Sequence, residues 1–212
     1  MRCKVCHSSV AHFDDEQMDC LSYHCLKCEV IFKDPSSHVS SELEQQQYAQ
    51  HNNSLENSGY VQMFESFLEF VELKDSVQRV LDFGSGPTPV FATILRRRGL
   101  EVEIYDKYYA TNPIEGVFDL IVSTEVFEHL DDPVGVLKRL KSHLGADARV
   151  AIMTQFHKGT KEFYLDWWYR RDPTHITFFT PKTFEILADT VNMRVVKCDL
   201  KKIVILGNKE SV

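Results

Sequence analysis

The chain is 212 residues long, 43% hydrophobic, and carries a formal net charge of −7. That composition supports a packed core and excludes wholesale disorder, and the length suits one α/β domain with a small appendage. The acidic balance argues against a broad nucleic-acid footprint, which needs a basic face. No stretch is apolar for long enough to span a bilayer, and Met1-Arg2-Cys3-Lys4-Val5-Cys6 is not an apolar signal. A cytoplasmic protein without membrane attachment is the expectation.

In that reducing setting, close cysteine pairs point to metal ligation rather than disulfides. Cys3-x-x-Cys6 and Cys25-x-x-Cys28 are separated by 18 residues, a two-pair zinc spacing. Each pair forms a tight turn that aims two thiolates at one ion, and an intervening hairpin brings the pairs into a tetrahedral site. Residues 1–33 read as a zinc-ribbon-like module, too short to fold without such a staple. Cys20, His7 and His24 are alternative donors for one position. A sphere closed by four sulfurs makes the zinc structural.

Residues 34–59 turn polar and read as a linker, with a helix near 41–50 and the character of a lid. Tyr48 and Tyr60 flank it within reach of a bound ligand. Met63, Phe64, Phe67, Leu68 and Val71 have helical spacing and define an amphipathic helix. The domain from residue 60 to 212 then alternates. Strands are expected at 79–83, 101–105, 118–123, 149–154, 194–199 and 203–206, with helices at 88–98, 133–144 and 181–191. This pattern predicts an α/β fold, a mostly parallel sheet with helices on both faces. The short link between the last two strands demands an antiparallel C-terminal hairpin. Arg96-Arg97-Arg98 suits the solvated last turn of a helix, and Cys198 reads as an ordinary buried thiol.

The most informative stretch is Val80-Leu81-Asp82-Phe83-Gly84-Ser85-Gly86. An apolar run ends in an acid, and two glycines one residue apart let bare backbone approach a ligand at the start of a helix. Asp106 closes a second apolar run twenty residues after Gly86, where a dinucleotide-type site holds a ribose. These residues, with Phe118-Asp119-Leu120-Ile121-Val122-Ser123-Thr124-Glu125-Val126-Phe127-Glu128-His129-Leu130-Asp131-Asp132-Pro133, resemble class I S-adenosylmethionine-dependent methyltransferases. The resemblance spans roughly residues 60–206 and implies S-adenosyl-L-methionine as cofactor. It implies that Asp82, Gly84 and Gly86 cradle the amino-acid half of that cofactor. It also implies that Asp106 accepts from the ribose hydroxyls and that Ser123, Thr124 and Glu125 line the pocket near the adenine or the methyl group. A zinc module attached to such a domain is a known combination in that superfamily.

Two departures stand out. Only twelve residues separate Asp106 from Asp119, where the family fits a helix, a strand and a helix. The third strand is therefore expected to be lost or vestigial, with Tyr108, Tyr109 or Pro113 covering the adenine. The turn continues Gly86-Pro87-Thr88-Pro89 rather than with a third glycine, which disfavours a nicotinamide oxidoreductase and suits the first turn of a helix. The other rival is a degenerate methyltransferase fold acting as a scaffold through its zinc module.

Methyl transfer needs alignment and water exclusion more than a dedicated catalytic residue. The aromatic segment 161–179 is the expected acceptor wall. His175 is the first candidate for a base or orienting group, and His129 the second. Arg170 and Arg171 are read either as an anion site or as partners of Asp166 or Asp172. The acceptor is expected to be a small molecule or a protein rather than bulk nucleic acid.

Overall fold

The computed structural model describes residues 1–49 and 53–209; Gln50, at the end of the helix expected over 41–50, lies outside the described residues. The N-terminal strands are β1 (Ala11–Asp15), β2 (Cys20–His24) and β3 (Ile31–Lys33). The linker holds α1 (Ser41–Ala49), and α2 (Ser58–Val71) follows it. The main sheet contains β4 (Arg79–Phe83), β5 (Glu101–Tyr105), β6 (Phe118–Thr124) and β7 (Leu144–Met153). Between these strands run α3 (Val90–Arg97) and α4 (Pro133–Lys141), and α5 (Lys161–Asp166) comes after β7. The short strand β8 (Thr177–Phe178) precedes α6 (Pro181–Thr190), and β9 (Met193–Cys198) and β10 (Ile203–Asn208) end the chain's described part.

The six-stranded sheet has the order β5-β4-β6-β7-β10-β9. Pairings β4–β5, β4–β6 and β6–β7 are parallel, whereas β10 runs antiparallel to both β7 and β9. The expected mostly parallel sheet and antiparallel hairpin are both present. β5 is the edge strand, and the residues after it form only a turn with an isolated Asp106–Ala110 bridge. The third strand is indeed missing, because twelve residues cannot make a crossover.

Strands β4 and β6 are buried on both faces, as parallel central strands require. On one face, Phe64, Phe67, Leu68 and Val71 of α2 follow the i, i+3, i+4, i+7 rule and pack with α3 against Val80 and Val122. Phe64 and Phe91 stack with ring centroids 4.4 Å apart. On the other face, Leu137, Leu140, Phe184 and Leu187 from α4 and α6 cover Leu81, Ile121 and Ile152. α4 starts where Asp132 caps the Gly135 N–H at 2.8 Å with Pro133 following it. It stops at Lys141 rather than 144, because Leu144 already pairs with Phe118 as the first residue of β7.

The cysteine-bearing strands do not stand apart. β3 pairs with β8 from the far end of the chain, giving a second sheet of order β1-β2-β3-β8. Cys3, Cys25 and Cys28 share one hydrophobic cluster with Phe179 and Phe184. Arg170 and Asp15, both almost fully buried, form an ion pair at 2.8 Å that ties the segment after α5 to β1. Arg170 is therefore committed to Asp15, not to an anion, Asp166 or Asp172. Arg96 and Arg98 also have protein partners, Val102 O and Glu65.

Candidate active site and cysteine cluster

A cavity of about 450 Å³ opens at the carboxyl ends of β4, β5 and β6, where an open α/β sheet binds ligands. Its floor is the turn after β4. Gly84 has φ +87°, and a Cβ there would meet Val126 Cγ2 at 2.2 Å, so only glycine fits. Gly86 has φ +67°, yet a Cβ there would meet nothing within 4 Å. Its bare Cα faces open space on the cavity side, the cradle a ligand would fill. The turn is held from β5, with Gly84 N–H donating to Tyr105 O at 2.7 Å.

Two acids flank the turn. Asp82 is 2% exposed and its Oδ2 has no hydrogen-bond partner among the described residues. Burial pushes its carboxyl up to about 7, against a bond from the Ala92 N–H in the first turn of α3. The Arg96 charge acts on it only from a distance, and a buried carboxyl lining a cavity without an ion-pair contact among the described residues suits a cationic group. Asp106 accepts from Gly86 N–H at 3.0 Å, Tyr108 N–H at 2.8 Å and Tyr109 N–H at 3.1 Å. Three donors leave this carboxylate acceptor capacity for a further hydroxyl. Asp82, Asp106, Glu125 and Asp172 outnumber the lining cations Lys107 and Arg139, so the cavity suits a positively charged ligand.

Of the three β6 residues expected here, Thr124 and Glu125 line the cavity. Ser123 is fully buried and points to the other side of the sheet, as strand alternation dictates for its position beside Thr124. Glu125 adopts φ +54°, a left-handed conformation rare for this residue type. Behind it Glu128 is fully buried, and Tyr169 donates its hydroxyl toward both Glu125, at 3.0 Å, and Glu128. Burial and then the Glu125 charge push the Glu128 carboxyl well up, and burial raises Glu125.

The two histidines meet. The His129 and His175 rings lie 4.8 Å apart, edge to face, and both line the cavity. His129 Nδ1 bonds Thr174 O at 2.9 Å and His175 Nδ1 bonds Tyr169 O at 2.8 Å. A carbonyl only accepts, so each Nδ1 carries a proton and each Nε2 is left facing other partners, which for His175 include Asp172 Oδ2 at 3.9 Å. Burial, and next His175, hold His129 down to about 3. Trp168, 64% exposed, forms the rim beside Tyr169 and Asp172.

α1 closes the other side. Glu44 accepts from Lys107 Nζ at 2.6 Å, Tyr108 at 2.7 Å and Tyr48 at 2.5 Å. Burial acts to raise this carboxyl, but those bonds win and hold it low. Tyr109 hydroxyl donates to Gln45 O at 3.3 Å. Tyr108 and Tyr109 grip α1 and do not line the cavity, whereas Tyr48 and Tyr60 do. The roles of Tyr169, Glu44 and Asp172 were not legible beforehand. Their only signal was the aromatic and acidic density of the two segments.

Apart from this cavity, the Sγ atoms of Cys3, Cys6, Cys25 and Cys28 lie within 4.8 Å of one another. Cys3–Cys28 are 3.4 Å apart and Cys6–Cys25 3.5 Å. These separations are too long for disulfides and near the roughly 3.8 Å that four sulfurs about 2.3 Å from one ion require. Cys20 bonds toward Ser22 instead, and neither His7 nor His24 joins the cluster. The second pair is anchored to α6: Thr183 donates to Cys28 O at 2.8 Å, and Glu29 binds Lys182 and Thr180.

A family model described as a methyltransferase domain matches residues 56–197, and the chain belongs to that family. Its fold is the Rossmann-like one of class I S-adenosylmethionine-dependent methyltransferases. A search of curated protein sequences finds no match. Among solved structures, the chain is similar to the mitomycin 7-O-methyltransferase MmcR, with TM-score 0.54, 15% identity, and coverage of 71% of this chain and 55% of that one. It is also similar to CalO1, a methyltransferase in calicheamicin biosynthesis, in its S-adenosylhomocysteine-bound form. There the TM-score is 0.53 and identity 18%, with 80% of this chain and 59% of that one covered. TnmH gives TM-score 0.54 at 16% identity, over 70% of this chain and 57% of its own. The chain thus spans little more than half the length of these proteins. No described helix is long and apolar enough to cross a membrane.

Proposed function

We propose that the protein transfers a methyl group from S-adenosyl-L-methionine to a small-molecule acceptor, and that the four cysteines hold a structural zinc. The observation that carries the cofactor reading is the conjunction at the glycine turn. Gly86 presents empty space, Asp82 offers an unpartnered buried oxygen, and Asp106 has acceptor capacity left, all on one cavity wall.

In this reading Asp82 binds the ammonium of the amino-acid half, Gly84 and Gly86 let the backbone close on it, and Asp106 accepts from the ribose. Thr124 and Glu125 line the methyl end. When bound, the cofactor supplies an electrophilic sulfonium methyl for in-line displacement. The chain's own residues position the acceptor, exclude water through α1 and the aromatic rim, and orient its nucleophilic atom through His175 and His129 Nε2. The acidic cavity favours the cationic donor over its neutral product, which aids release. MmcR is a mitomycin 7-O-methyltransferase and CalO1 a methyltransferase in calicheamicin biosynthesis, and this supports a small-molecule acceptor.

Isothermal titration of the zinc-replete protein tests the reading. S-adenosylmethionine and S-adenosylhomocysteine should bind one per chain, NADH should give no heat, and Asp106→Ala should weaken both by at least tenfold. Silence with both sulfur ligands would overturn the enzyme and favour a scaffold role; NADH binding alone would favour the oxidoreductase.

A further inference from the structure

Glu128, His129 and His175 each offer one ligand atom, and the three atoms lie within 4.8 Å of one another beside the methyl end of the cavity. Ligands about 2.1 Å from one ion stand no more than about 4.2 Å apart, so a small side-chain adjustment closes the set. Both imidazoles are pre-oriented as ligands are, with Nδ1–H held by the Thr174 and Tyr169 carbonyls. An independent observation points to a cation. Glu128 is fully buried, its Oε2 has no hydrogen-bond partner, and no ion pair reaches its carboxyl among the described residues. Buried carboxyls in that situation are paired or bind metal.

We infer that Glu128, His129 and His175 form a second metal site, distinct from the cysteine cluster, that binds a divalent transition-metal ion and through it the oxygen of a hydroxyl acceptor. Two imidazoles and one carboxylate leave coordination positions open and suit ions such as Mn²⁺, Fe²⁺ or Co²⁺ rather than Mg²⁺ or Ca²⁺. The site faces the cavity on the His129–His175 side, beside Asp172, which leaves room for an acceptor between the ion and the cofactor. The ion lowers the pKa of the acceptor's hydroxyl, whose proton passes to water. The oxygen lone pair then forms the O–CH₃ bond as the S–CH₃ bond breaks, its electron pair staying on sulfur. The two histidines serve here as ligands rather than as bases. This inference rests on the methyltransferase reading for its acceptor, but the site itself does not.

The test is Mn²⁺ binding to the zinc-replete full chain, followed by electron paramagnetic resonance without cofactor; thiolates disfavour Mn²⁺, so the cysteine cluster stays silent. One Mn²⁺ should bind per chain, with nitrogen couplings from two imidazoles. His129→Gln and His175→Gln should each remove one coupling and weaken binding at least tenfold, and Glu128→Gln should weaken it similarly. Glu128 is the variant at risk of misfolding, and the two histidine variants carry the test alone if it fails. No stoichiometric Mn²⁺, or binding unchanged in both histidine variants, overturns the inference. S-adenosylhomocysteine titrated into the same samples separates the readings: its binding without Mn²⁺ binding sinks this site alone, and the converse sinks the cofactor assignment alone.

Discussion

Asp82→Asn separates what the cavity needs for its ligand from what the empty protein prefers. The wild-type carboxyl is 2% exposed and rises from 3.8 to about 7 because burial penalises its charge. A folded-state value above the unfolded one favours the folded state below about pH 3.8, and that contribution is lost as pH rises through about 7. Above pH 7 the folded protein therefore holds an ionised Asp82 at a cost on the order of 4 kcal/mol as an upper bound. Asparagine keeps an oxygen for the Ala92 N–H and places an uncharged amide where Oδ2 has no partner. An unsatisfied amide still costs about 1–3 kcal/mol, so the net gain should be about 1–3 kcal/mol at pH 8. Near pH 5, where wild type is mostly protonated, the difference should shrink toward zero. Urea unfolding of zinc-replete wild type and variant at the two pH values reads this directly. The same substitution should weaken S-adenosylmethionine binding at pH 8 by ten- to a hundredfold, through loss of a charged hydrogen bond. An equal stability change at both pH values, or unimpaired cofactor affinity, would refute the reasoning.

The two glycines of the turn should behave oppositely. Gly84→Ala drives a methyl into Val126 and should abolish or severely impair folding, seen by circular dichroism, whereas Gly86→Ala costs only about 1 kcal/mol for its φ yet should reduce cofactor affinity. Arg170→Met leaves Asp15 buried and unpaired and should cost about 3–5 kcal/mol in chemical denaturation, with Asp15→Asn in the same chain recovering part of it. Chelating the zinc should expose the segment 172–180 to limited proteolysis as well as residues 1–33. The reason is that β3 pairs with β8, Lys33 N–H bonds Ile176 O at 3.0 Å and Lys33 Nζ bonds Asp172 O at 3.1 Å. Cleavage confined to 1–33 would contradict that coupling.

Local sequence carried the sheet and the glycine turn well, because each depends on residues close in the chain. The alternation of apolar runs and capped helices placed β4, α3, β5, β6, α4, α6 and the C-terminal hairpin but not α5 or β8, and the missing third strand followed from a simple count between Asp106 and Asp119. What stayed hidden is set by long-range pairing. Nothing in Ile31–Lys33 announces that it will bond to Thr177–Phe178, nor in Asp15 that it waits for Arg170. The start of β7 was missed because Gly145, half-buried, and Asp147, exposed, are poor strand formers. Ser123 was grouped with its neighbours although strand alternation turns it away from Thr124. His129 and His175 were each singled out, but their contact, and the Tyr169 bridge between Glu125 and Glu128, exist only once α5 and its following turn fold back over β6.

The most direct test of the central claim is a crystal structure of the zinc-replete protein with S-adenosylhomocysteine. The ligand should lie across the carboxyl ends of β4 and β5, its amino group on Asp82, its ribose on Asp106, and its sulfur turned toward Glu125 and the histidines. An empty cavity at saturating ligand, or a ligand whose ribose avoids Asp106, would contradict the account.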